Sequence, residues 1–397
     1  VVYFRKGYVN MASEQREKER LERKLKKNKK KRIAAWIVIC LVVAALIVMR
    51  VAEIDFSSIG GSASSQSQSS GFPYQLASGS DLYFGSVGND LCLLEDSTYT
   101  VLDSSDAEVK YSFEHGYSNP IVKTAGSYSL LYDQGGVSYR LDTNSENVYQ
   151  EKTQSSLICA DVSDSGTVAL ATTSDSALST ITVYNKSLKQ KFTYDVTAGY
   201  VTSVAVDSRG SRVAFAAVSS ENARFKTVVY TMNVDDTEPR AQFEYTGSSV
   251  LELRFSSTDL FVVGNDFVSV IDSLKTEKQI YEPGTVGLVS YSFTPDGSLI
   301  YVYTAYSGSA DNNISVVKPS GKVIEVASTD SAVKDVTGSS TRVTILTSES
   351  VVTYKISNSK VLAESRVDDS YSSVMQITSD VYARHQAVVE LLGSEQE

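Results

Sequence analysis

FTPDGSLIYVYT (Phe293–Thr304) reads as a strand, a tight turn and a second strand, and the same figure recurs along the chain. Its clearest copies are VSDSGTVALAT (Val162–Thr172) and VDSRGSRVAFAA (Val206–Ala217). Each sets Asp, Ser and Gly between two apolar runs. Gly takes positive φ without Cβ strain, and Asp or Ser bonds the nearby backbone. A third strand follows, as in ITVYNKS (Ile181–Ser187) or ISVVKPSG (Ile314–Gly321), and then a fourth, as in KFTYD (Lys191–Asp195) or KVIEVAS (Lys322–Ser328). Four short strands per repeat make one blade of a β-propeller.

Turns of this kind stand near Asn89, Gly126, Gly166, Gly210, Thr258, Gly297, Ser340 and Ser379, at spacings of 37 to 48 residues. That is the period of propeller blades. No convincing amphipathic helix interrupts the alternation from Phe72 onward. The expectation is an all-β fold, an eight-bladed propeller over residues 72–397, with seven blades as the alternative if the first or last repeat is degenerate. The last repeat holds only three strands, SVMQITS (Ser373–Ser379), DVYARHQ (Asp380–Gln386) and AVVELLG (Ala387–Gly393). FPYQL (Phe72–Leu76) has the length and pattern to supply the fourth and to close the ring without an open edge.

Upstream of the repeats lies an apolar run, Ile33–Met49 (IAAWIVICLVVAALIVM), directly after the basic Lys29–Arg32. At roughly 1.5 Å per residue it covers about 26 Å, and snorkelling of Arg50 lets Val51 and Ala52 join it. Residues 33–52 therefore read as a transmembrane helix and 53–71, Ser- and Gly-rich, as a flexible tether. Residues 1–32 hold 13 Lys and Arg against 4 Asp and Glu, a net of +9, whereas residues 71–397 hold 23 against 41, a net of −18. The asymmetry places the basic tail in the cytoplasm, touching anionic lipid head groups, and the repeats outside. Residues 1–10, before Met11, read as translated leader. An acidic outer domain argues against nucleic acid and against anionic polymers as ligands.

Catalytic and metal chemistry finds little support. Only two histidines exist, His115 and His385, and HExxH, CxxC, GxSxG and phosphate-loop patterns are absent. Asp161-x-x-Asp164-x-Gly166 and Asp311-Asn312-Asn313 read as turn caps, not calcium loops. Cys92 and Cys159, in strand-like segments, read as buried thiols. No cofactor, no metal and no catalytic residue is expected. The densest polar constellation is HGYSNP (His115–Pro120) with YDQGG (Tyr132–Gly136) and YRLD (Tyr139–Asp142). One reading makes it a partner-binding rim of His115, Tyr117, Asn119, Asp133 and Arg140; the other leaves glycines to shape tight links while Asp133 and Arg140 pair.

The TPDG turn resembles those of WD-repeat-like and quinoprotein-like propellers, although the sole tryptophan, Trp36, lies in the apolar run and the Trp-Asp signature is missing. The span, the Ser-rich tether, FPYQL, HGYSNP, YDQGG, YRLD and TVYNKS (Thr182–Ser187) together resemble an uncharacterised family of single-pass propeller proteins from Gram-positive Firmicutes, a domain of unknown function. That resemblance implies fold and location and supplies no site residues. The functional expectation is a membrane-anchored, extracytoplasmic, non-catalytic scaffold for another envelope protein or an envelope component. A sensor signalling through the basic tail and a carbohydrate-acting envelope enzyme are the alternatives.

Overall fold

Strand after strand carries apolar residues on both faces, because each blade is packed between two others. The second strand of the first blade, Asp90–Glu95 (DLCLLE), is buried throughout. Successive side chains point to opposite faces: Leu91 and Leu93 pack toward the last blade, Cys92 and Leu94 toward the second. A computed structural model describes residues 71–77, 81–221, 224–304 and 311–393. The basic tail, the apolar run and tether residues 53–70 lie outside the described residues.

Eight four-stranded antiparallel sheets form eight blades. They span residues 81–114, 120–152, 157–196, 200–246, 250–281, 287–329, 333–366 and, for the last, 371–393 together with Tyr74–Gln75. All eight turns named from the sequence join the inner strand of a blade to its second strand. The core is correspondingly divided into eight apolar clusters, one at each interface between neighbouring blades, including that between the eighth and the first. Burial of this kind at roughly 25 cal/mol per Å² is the main stabilising term, and it is distributed around the ring instead of being concentrated at one centre.

The ring closes as FPYQL predicted. Tyr74 and Gln75 pair with Val389 and Val388 on the third strand of the last blade. Leu76 N–H donates to Ala387 O at 2.8 Å, and buried Leu76 joins Leu91, Leu93, Ile377 and Tyr382 in one cluster. The Phe72 ring lies 5.2 Å from that of Tyr382. The Tyr382 hydroxyl then donates to Ser104 O of the first blade at 2.6 Å.

The turns show why Gly and Asp recur. Asp207 Oδ1 accepts the N–H groups of Ser211 and Arg212 at 2.6 and 2.9 Å. Gly210 has φ +62, and a Cβ there would come within 2.5 Å of the Thr167 side chain in the preceding blade's turn. At Gly297, φ +77, a Cβ would clash with Ser256 Oγ of the preceding blade. Both positions demand glycine for conformation and for close approach.

Inner strands have a sheet partner on one side only, so their outer N–H groups need other acceptors. Side chains of the preceding blade supply them. Val206 N–H donates to Asp161 Oδ2 at 2.9 Å and Leu253 N–H to Ser203 Oγ at 3.2 Å. Val374 N–H donates to Asp335 Oδ2 at 3.0 Å and Gln376 N–H to Thr337 Oγ1 at 3.1 Å. Polar residues inside apolar strands thus lace blade to blade around the axis.

Candidate functional site

Because strand direction alternates within a blade, the links between blades and the turns between second and third strands share one face of the ring. This link face lies opposite the glycine turns. The link from the first to the second blade contains His115, Tyr117 and Asn119, and the second blade's own turn on that face begins at Asp133 and Gln134. The polar residues expected in a rim are therefore brought together, with one exception.

Local hydrogen bonds fix the link. His115 Nε2–H donates to Glu95 O at 3.0 Å while Nδ1 accepts Tyr117 N–H at 3.1 Å. These two bonds define the neutral Nε2–H tautomer. Asp133 Oδ1 accepts the N–H groups of Ser118 and Asn119 at 3.1 and 2.9 Å, and Asn119 Nδ2 donates to Gln134 Oε1 at 3.2 Å. Asn119 is exposed and His115 and Asp133 are half-buried. The Tyr117 ring packs 5.6 Å from His115, and its hydroxyl is buried without a hydrogen-bond partner among the described residues.

Arg140 is the exception, and the expected pairing with Asp133 is not formed. Arg140 is buried and pairs with fully buried Asp142, Nε to Oδ2 at 2.8 Å and Nη2 to Oδ1 at 2.7 Å. Its Nη2 also donates to the Tyr111 hydroxyl at 2.8 Å, and its guanidinium carbon lies 3.3 Å from the centroid of the Phe113 ring. The two residues stand two apart on one strand face, Tyr111 and Phe113 come from the first blade, and the group seals an interface between blades. Arg140 therefore contributes to the rim only by supporting the interface beneath it.

A second polar cluster, which the sequence reading missed, lies at the axis. Lys123 Nζ on the inner strand of the second blade pairs with Glu252 Oε1 on that of the fifth at 3.5 Å. Blades three apart in the ring can meet this way only across the axial space. The Tyr291 hydroxyl of the sixth blade donates to Glu252 Oε2 at 3.0 Å. Burial alone would raise the Glu252 carboxyl, but Lys123 and Arg254, together with the Tyr291 hydroxyl, hold it below the ordinary range. The available sequence signal was LELRF: Glu252 and Arg254, two apart, share one face of an otherwise apolar strand.

Asp161, read from the sequence as a turn cap, belongs to this inner layer. Burial pushes its carboxyl up to about 6, against the opposing pull of the Val206 N–H, Lys123 and Arg254. In the unfolded chain an Asp titrates near 3.9, roughly. A carboxyl raised in the fold stabilises it fully below the unfolded value, and that contribution is lost as pH rises through about 6. Asp161→Asn, which keeps an oxygen for Val206, should match the parent near pH 4. At pH 7.5 it should be more stable by about 1–2 kcal/mol, less than the full shift implies because the group is partly open to axial solvent. Denaturant titration at both pH values reads this, and a less stable Asn variant at pH 7.5 refutes it.

Cys92 and Cys159 are buried free thiols, each pushed up to about 12 by burial. Asp236 holds Arg240 at 2.6 Å and Asp368 caps Ser370 N–H at 2.9 Å. Among the described residues no group of three or more His, Cys, Asp or Glu is placed to hold a metal ion. No helix there is long and apolar enough to cross a membrane.

Eight closed blades with a polar link face and a charged axis define an eight-bladed β-propeller. The chain belongs to the family of unknown function DUF5711, whose model matches residues 73–386. The C-terminal WD40 domain of Sif2 is similar in fold at TM-score 0.53 and 11% identity, covering 81% of this chain and 99% of that one. BamB from Moraxella catarrhalis is similar at TM-score 0.49 and 11% identity, over 81% of this chain and 98% of that one. At such identities the likeness concerns the fold alone. Among curated proteins none matches.

Proposed function

We propose that the chain is a single-pass membrane protein with a cytoplasmic N-terminus, whose extracytoplasmic propeller is a non-catalytic scaffold for another envelope protein. The charge asymmetry on either side of Ile33–Met49 supports the topology. The link face supports the binding role. One observation carries it: the hairpin Arg212–Glu221 and Arg224–Asn233 has ten-residue strands, the longest among the described residues, and reaches out on that face with Phe225 43% exposed. Leu251, also 43% exposed, is the second residue of the inner strand Val250–Ser256 of the next blade, at its link-face end. Exposed apolar anchors on the same face as a polar rim of His115, Asn119 and Asp133 are the composition of a protein-binding surface. Phe72, ahead of the closing strand Tyr74–Gln75, stands on the opposite, glycine-turn face.

A photo-crosslinking residue at position 225, with one at Val361 on the glycine-turn face as control, tests the assignment in native membranes. Position 225 should yield a discrete protein adduct and position 361 should not. Equal adducts from both, or recovery of glycan alone, would reject it.

A further inference from the structure

The outer flank of the ring, between the third and fourth blades, carries a cavity of about 290 Å³ lined by Tyr194, Phe215, Tyr230, Glu238, Pro239 and Gln242 among others. Its aromatic rings are ordered as a slab. Phe215 and Tyr230 stack at 4.8 Å, Tyr194 lies 5.7 Å from Phe215, and Phe192 stacks behind Tyr194 at 6.4 Å. Phe215 is buried and forms the floor, while half-buried Tyr194 and Tyr230 present ring surface to the opening. No Lys, Arg or His lines the cavity. Glu238 is exposed at its edge and forms no ion pair among the described residues, although neighbouring Asp236 is held by Arg240. Burial, and after it Glu238, raises the Tyr194 phenol, which places that carboxylate's field on the ring.

From this geometry we infer that the cavity is a binding site for a cationic side chain, an arginine of a basic peptide segment. A planar guanidinium stacks on tyrosyl faces and pairs bidentately with a carboxylate. The net of −18 over residues 71–397 gathers such segments to the surface. A phosphorylated or otherwise anionic ligand would meet Glu238, while Lys226, whose charge reaches the Tyr230 ring, is already paired with Glu221 and Glu244. A sugar would use the same aromatic faces but would also need the phenol hydroxyls as hydrogen-bonding groups, and that difference separates the two chemistries experimentally. The site goes beyond the scaffold role: it lies on the flank between the third and fourth blades, with link residues Thr197 and Ala198 at one end, whereas the rim of His115, Asn119 and Asp133 lies between the first and second.

The test uses the full chain in detergent micelles. Its probes are acetyl-Arg-Gly-Arg-amide, the same peptide with citrulline for arginine, and chitotriose, followed by ligand-observed NMR. The arginine peptide should bind saturably and more tightly than the citrulline peptide by at least about tenfold, given the value of charge-assisted contacts. Glu238→Gln and Tyr230→Ala should each weaken it about tenfold, and Tyr194→Phe, which keeps the ring and loses the hydroxyl, should bind within about twofold of the parent. Circular dichroism melts confirm that the exposed Glu238→Gln variant remains folded. Absence of saturable arginine binding, equal binding of citrulline, an unchanged affinity in Glu238→Gln, or chitotriose binding that Tyr194→Phe abolishes would overturn the assignment. None of these outcomes bears on crosslinking from position 225.

Discussion

Deleting Phe72–Leu76 should lower the melting temperature of the ring by about 7 °C or more. The segment removes Leu76 from a cluster with Leu91, Leu93, Ile377 and Tyr382, and takes the Phe72 ring off Tyr382. Burial of two such side chains contributes roughly 1.5–3 kcal/mol each. The ladder bonds to Val388 and Val389 and the Leu76 N–H to Ala387 bond add more, for a total of about 5 kcal/mol. At about 2.1 cal/mol/K of unfolding entropy per residue, a domain of this size converts that into the stated shift. The deletion also leaves Val388–Gly393 as an open edge, so the heated protein should aggregate more readily than the parent. Scanning calorimetry of the full chain in micelles measures both effects. An unchanged melting temperature would show that the seam between the first and last blades holds without the strand.

Why closure and blade number were readable in advance, and the axis was not, follows from the range of the interactions involved. A turn such as Asp207–Ser211 is specified by residues within five positions, so Asp or Ser and Gly recur in the turns at Gly166, Gly210 and Gly297. The ring seam was legible because three strands in the last repeat leave a vacancy that FPYQL matches in length and pattern. The pair of Lys123 with Glu252 depends instead on the curvature accumulated over three blades, and no local pattern encodes it. Asp161 shows the same limit: its neighbours Asp164 and Gly166 suggested a turn cap, yet its acceptor role is toward Val206 of the next blade. In the rim, short-range chemistry was again readable, since Asp133 caps the link that carries Ser118 and Asn119. The alternative in which Arg140 pairs with Asp133 fails because strand alternation puts Arg140 on one face with Asp142.

Arg140→Ala should destabilise the domain by about 3–5 kcal/mol, the range for removing one partner of a buried ion pair. Asp142, fully buried, would retain only the Tyr111 hydroxyl at 2.9 Å and Asn147 Nδ2 at 2.9 Å for a carboxylate that now loses two bonds to the guanidinium. The Tyr111 hydroxyl would lose its donor from Arg140, and the Phe113 ring would lose the cation stacked on it. Arg140→Lys retains the charge but not the fork, and should recover part of the loss. In Arg140→Met combined with Asp142→Asn no unpaired charge remains, so the double variant should be more stable than Arg140→Ala. The coupling energy of the cycle Arg140→Met, Asp142→Asn should reach about 1–3 kcal/mol. Denaturant melts of the four proteins measure it, and additive single effects would show that the pair is not a unit. A loss of partner binding in any Arg140 variant would then report a damaged interface between the first two blades, so the rim itself is tested with exposed Asn119, whose side chain reaches only Gln134.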